Sequence, residues 1–239
     1  MLMENITSKE FEELKKDTKT VIIPIGSIEA HGPHLPLATD LYTIYEICKL
    51  VAQKIKVLVA PPLYYGLCRS TKPLPGTLSL KGEVLKALVF NLLSEFYRQG
   101  FKNFFILSGH AGGTHIAYLV DTAEAFIDLH KDIKIFVADI FQLLKPVLEE
   151  LNIPESDSHA GEWETSLIFY FKPELVKEGA FEDYPKFPKF RIVEDKEKYW
   201  SSGIWGNPLK ASAEKGKILA EKLTEILIKE IKTLEKEGV

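Results

Sequence analysis

VIIPIGSIEAHGPHLPLATD, residues 21–40, decides the reading of the fold. Its first five residues are apolar and mostly β-branched, the composition of a strand buried on both faces. The run stops at Gly26. Residues 26–40 then hold two histidines (His31 and His34), two carboxylates (Glu29 and Asp40) and four helix breakers (Gly26, Gly32, Pro33 and Pro36). An ordinary surface loop has no need of that density of ligating groups, whereas a metal site does.

Outward from this stretch, strand and helix patterns alternate. A short helix is expected from residue 8 with Ser8 as its cap, and the strand covers 20–25. An amphipathic helix follows at 41–54, a strand at 57–60 ended by Pro61 and Pro62, and a long polar loop at 64–75. Apolar positions recurring at three and four predict a helix over 80–99. Further elements are a strand at 104–107, a helix at 112–130, a strand at 133–138 and a helix at 141–151. This order implies an α/β fold with a mostly parallel sheet covered by helices on both faces. Ligands bind such sheets at the carboxyl ends of the strands. Residues 26–40 and 108–115 both follow strands and so fall on that edge. Beyond Pro154 the pattern weakens. SDSHAGEWETSLIFYF, residues 156–171, reads as a loop entering a helix, 181–205 as an irregular flap, and 211–236 as a long amphipathic helix. With no repeat or linker, residues 1–239 are expected to form a single domain.

The chain of 239 residues is 46% hydrophobic and 27% charged, the balance of a globular protein. A net charge of −4 without a strongly basic segment argues against a nucleic-acid partner. No apolar run approaches the ~20 residues of a membrane span, and the opening residues lack the order of a signal peptide. Cys48 and Cys68 match no zinc-knuckle spacing and are expected to be reduced thiols of a cytoplasmic protein. Lys, Glu and Ile are plentiful and Gln is scarce, a composition that leans towards a thermophile.

Three clusters carry chemistry. Glu29 and His31 are two apart and point the same way along an extended segment. Asp40, folded back by Pro33 and Pro36, can bridge two ions. Carboxylate and imidazole together suit Zn²⁺, Mn²⁺ or Fe²⁺. The plainer alternative is a polar loop whose aspartate caps a helix. In LSGHAGGTH, residues 107–115, the glycines let the backbone approach a ligand and His110 can be a metal ligand; a tight strand-to-helix turn is the alternative. His115, on the following helix, is expected to be packed or to support a ligand from behind. In DSHAGEWETS, residues 157–166, the functional reading gives Glu164 a metal and leaves His159 as a proton carrier. Acids at a helix start have a plain explanation too, and of Glu162 and Glu164 only one can face a site.

Together these clusters resemble the creatininase family of metal-dependent amidohydrolases. The resemblance rests on PIGSIEAHGPHLPLATD (24–40), PGTLSL (75–80), LSGHAGG (107–113), HAGEWETS (159–166) and GNPLKASAEKG (206–216). It implies a three-layer α/β/α sandwich and a homohexamer. It also implies two divalent metal ions per subunit (Zn, Mn or Fe) that hydrolyse the C–N bond of a small, non-peptide amide. Carried over by position, Glu29 and His110 hold one metal, His31 the other, Asp40 bridges them, and His159 is catalytic. Creatininase has a ligating glutamate where this chain has Gly112, and Glu164 is the expected substitute. Many members read YGxSxEH where residues 65–71 read YGLCRST, and carry asparagines at the positions of Ser108 and Thr114. Cys68, Arg69, Ser70, Ala111 and Gly112 are expected to meet the substrate. Arg69 either binds an anionic group or is a surface arginine. Trp200 and Trp205 serve the flap or are buried aromatics. The family also includes formamidopyrimidine-nucleotide deformylases of riboflavin and deazaflavin synthesis, and peptidases that trim a redox-cofactor precursor. A non-catalytic metal-binding scaffold is the reading from another class.

Overall fold

A computed structural model describes residues 1–237. Its elements run α1 (Ser8–Asp17), β1 (Thr20–Ile25), α2 (Thr39–Lys54), β2 (Leu58–Val59), α3 (Gly82–Arg98), β3 (Asn103–Ser108), α4 (Gly113–Leu129), β4 (Lys134–Asp139), α5 (Ile140–Glu150), α6 (Glu162–Phe171) and α7 (Ala213–Lys236). The four strands form one all-parallel sheet in the order β2-β1-β3-β4. Register runs Ile22 opposite Val59, Ile25 opposite Ser108, and Ser108 opposite Asp139.

Alternation along the strands divides the core into two layers. Ile22, Val59, Phe105 and Leu107 pack under α2, α5, α6 and α7. Val21, Ile23, Ile25, Phe104 and Ile106 pack under α1, α3 and α4. The result is helix on sheet on helix. Pro24 lies in the inner strand β1, where a missing N–H normally breaks a ladder. Its flank faces the segment beyond β2, and its carbonyl accepts from Leu63 N at 2.9 Å. The cost of the proline thus falls where β2 has already ended.

Two local expectations need correction. Thr7, not Ser8, caps α1: its hydroxyl accepts from Glu10 N while Glu10 reaches back to Thr7, a capping box. Helix α2 begins at Thr39 rather than Leu41, so Asp40 sits on its first turn instead of in the preceding loop. Two glycines make that placement possible. A Cβ on Gly26 would lie 2.6 Å from Leu41 Cα, and one on Gly109 would overlap the Asp40 carbonyl. Only glycine lets the start of α2 wedge between the ends of β1 and β3. None of the described helices is long and apolar enough to cross a membrane.

Candidate metal centre

The wedge delivers Asp40 between Glu29, on the segment leaving β1, and His110, just past the end of β3. Glu29, His31, Asp40, His110 and Glu164 are all buried. His110 Nδ1 lies 2.8 Å from Glu29 Oε2 and 3.3 Å from Asp40 Oδ2. His31 Nε2 lies 3.1 Å from Asp40 Oδ1 and 3.9 Å from Glu164 Oε2. Asp40 therefore turns one oxygen to each imidazole. Of the two acids on α6, Glu164 enters the cluster while Glu162 pairs with Lys215 on α7.

The rings are oriented by the backbone. His31 Nδ1 is 3.0 Å from the Glu29 carbonyl and His110 Nε2 is 3.2 Å from the Leu67 carbonyl. Each ring spends one N–H there, so its other nitrogen faces carboxylate oxygens. That nitrogen must carry a proton or meet a cation. Burial opposes charge on both imidazoles, yet the carboxylates prevail: His31 rises to about 10 and His110 well above its ordinary value. Against the same burial, His110 draws Glu29 down to about 2, and His31 and His110 hold Asp40 well below the usual range. Burial pushes Glu164 the other way, up to about 8. This donor set, preorganised imidazoles plus buried carboxylates, fits divalent cations. Among the described residues, three triads have ligand atoms within 4.8 Å of one another: Glu29–His31–His159, Glu29–Cys68–His110 and His31–Asp40–Glu164.

His159 stacks on His31, centroids 4.1 Å apart, and meets Trp200 edge-on. Its Nε2 lies 2.8 Å from the Ala30 carbonyl. Burial, with His31 beside it, lowers its pKa to about 4, so it is neutral at pH 7. A cleft of about 320 Å³ opens over the cluster, lined among others by Glu29, Asp40, His110, Glu164 and His159. Arg69, Ser70, Ala111 and Gly112 line it, as do Trp200 and Trp205. Cys68 departs from expectation: it is fully buried and does not line the cleft, because its side chain turns under the loop towards Glu29 and His110. His115 is buried behind His110. Its Nδ1 accepts from Leu67 N and its Nε2 meets Ser108 Oγ, which fixes the neutral tautomer, and burial lowers it to about 3.

Three supporting residues were not singled out from the sequence. Ser27 Oγ donates to Asp40 Oδ2 at 2.5 Å and Thr71 Oγ1 donates to Glu29 Oε1. Asp157 accepts from Glu162 N at 2.8 Å and from Asn207 N at 2.8 Å. A Cβ on Gly161 or Gly206 would collide with its carboxylate. The Asp-then-His spacing of residues 157–159 and the Gly206–Asn207 pair were visible signals. Their meeting across fifty residues was not.

The sheet and this buried carboxylate–imidazole cluster define an α/β protein built around a candidate metal centre at its strand ends. Residues 4–231 match the family model for creatininase, described as creatinine amidohydrolase, and the chain belongs to that family. It is 28% identical over 236 residues to a creatinine amidohydrolase of Pseudomonas putida, covering 90% of each chain. It is 27% identical to a 3-dehydro-scyllo-inosose hydrolase of Thermotoga maritima, covering 97% of this chain and 82% of that one. A mycofactocin precursor peptide peptidase of Mycolicibacterium smegmatis is 28% identical, over 65% of this chain and 59% of its own. A solved creatininase variant described as Zn-Zn type superposes with TM-score 0.89 at 25% identity, covering 97% of each chain.

Proposed function

We propose that the chain is a metal-dependent hydrolase that cleaves the C–N bond of a small amide, cyclic or linear, in the cleft above Asp40. One observation carries this reading: Asp40 offers its two oxygens to two imidazoles whose remaining nitrogens are already committed to backbone carbonyls. Glu29 and His110 would hold one cation and His31 and Glu164 the other, with Asp40 placed between the two. Zinc, manganese and iron all suit these donors. When bound, such a pair supplies Lewis acidity to the amide carbonyl and a water whose pKa is lowered towards neutrality.

The chain's own groups do the rest. Ser27 locks the Asp40 carboxylate, so both oxygens keep their bearings. Thr71 does the same for Glu29. His159 spends Nε2–H on Ala30 and keeps its other nitrogen for a proton. Neutral at pH 7, it can accept a proton and pass it to the departing nitrogen, which is a poor leaving group without one. Trp200 and Trp205 give the cleft an apolar wall that restricts water.

A cleft of about 320 Å³ suits a small molecule. Arg69 on its wall favours a substrate with an anionic group, which supports a formamidopyrimidine nucleotide as the second reading. The peptidase relative keeps peptides within the test. The experiment is metal analysis of the purified protein together with a screen of formamides, lactams and short peptides. Two ions per chain, with turnover abolished by a chelator and restored by metal, is the expected result. One ion or none, and no activity across the panel, would leave a non-catalytic scaffold. A homohexamer is expected by light scattering, and a monomer would overturn that expectation.

A further inference from the structure

We propose that Cys68 is a ligand of the cation held by Glu29 and His110, which makes that position a thiolate–imidazole–carboxylate site; this rests on the metal reading above. The Cys68 sulfur, a Glu29 carboxylate oxygen and a His110 ring nitrogen lie within 4.8 Å of one another, and all three residues are buried. Sub-ångström side-chain adjustment brings such donors onto one ion.

Position in the loop argues the same way. Leu67, Arg69 and Ser70 line the cleft and Cys68 alone of that stretch does not. Its sulfur is near the same donors without lining the cleft that they face. The loop is also keyed to the ring it would share the ion with. Leu67 O accepts from His110 Nε2, Leu67 N donates to His115 Nδ1 at 3.1 Å, and Cys68 N donates to Ser79 Oγ at 2.9 Å. Cys48 is the useful contrast. It is equally buried, but packed with Ile22, Ile44, Ile47 and Val51, and among the described residues no cluster of metal-competent side chains includes it.

On binding, the S–H bond gives way to a metal–sulfur bond and the proton leaves to solvent. The thiolate adds a negative charge and a soft donor, so this position favours Zn²⁺ or Fe²⁺ over Mn²⁺. No side chain at 112 can serve there in the present arrangement, since a Cβ on Gly112 would overlap the His110 ring.

The test is cobalt substitution of the full chain, read by absorption. Wild type should show the visible bands of bound Co²⁺ together with an intense near-ultraviolet thiolate-to-cobalt band. Cys68→Ser should lose the near-ultraviolet band and keep the visible ones, and Cys48→Ala should keep both. X-ray absorption of zinc-loaded wild type needs no variant and should show a sulfur neighbour at about 2.3 Å. Visible bands without the near-ultraviolet band, or zinc without a sulfur shell, would overturn the role of Cys68 and leave the metal centre standing. Failure of wild type to take up either ion would overturn both.

Discussion

Glu29, Asp40 and His110 leave the ends of β1 and β3 and the start of α2, whereas His159 and Glu164 arrive on a loop and a helix start with no strand leading into them. The first flank inherits its geometry from the ladder. Ile25 faces Ser108, Gly109 N donates to Ile25 O at 2.8 Å, and α2 is seated by glycine contacts. The second flank has no such frame. Ala160 holds a left-handed φ of 48°, and the loop is gathered around the Asp157 carboxylate. Hydrogen-bonded strands place the donors of one flank; a buried anion that collects backbone N–H groups places those of the other.

Removing chemistry from the loop flank gives the largest effect. His159→Ala should lower kcat by about 10³-fold, the range of a lost general acid–base, with metal content unchanged. Equal turnover would remove His159 from the reaction. Breaking the strand flank acts on the fold instead. Gly109→Ala forces a methyl into the Asp40 carbonyl and should cost about 3 kcal/mol in denaturant unfolding; wild-type stability would mean α2 is not wedged there. Asp157→Asn turns an amide N–H towards backbone donors and should cost about 2 kcal/mol. It should depress kcat while leaving cobalt bands from the strand flank in place.

The smallest effect is a pH slope. His34 is buried against Thr165 of α6, and burial, with His31 near, lowers its pKa from 6.5 to about 4. The folded protein keeps it neutral while the unfolded chain gains a proton below pH 6.5. Its contribution is therefore whole above pH 6.5 and drains away as pH falls towards 4. Between pH 7.5 and 5.5 wild type should lose about 1.4 kcal/mol more than His34→Gln. Parallel slopes would show that His34 titrates freely.

Legibility followed the same division. Residues 20–25 and 104–107 declare themselves as strands by apolar runs, and donors that directly follow a strand inherit an address from it. Asp40 was legible as a candidate ligand but not as a helix residue, because Ala38 caps α2 without a side-chain bond. The capping box of Thr7 and Glu10 was present in the sequence and outranks Ser8. Asp157 and Cys68 were opaque for a shared reason. The groups that give them meaning, Asn207 for one and Glu29 with His110 for the other, lie some forty or fifty residues away and meet them only in three dimensions.

Helix α7 packs along α6, most tightly where Gly216 presses on the Ser166 backbone, a place where any side chain would collide, and the adjacent Lys215 pairs with Glu162. α7 is synthesised after the whole irregular stretch that follows α6. The same helix covers the sheet face that carries Ile22, Phe105 and Leu107, so neither flank is fully seated until α7 is in place. The bearing of Glu164 thus depends on residues some fifty positions further along the chain.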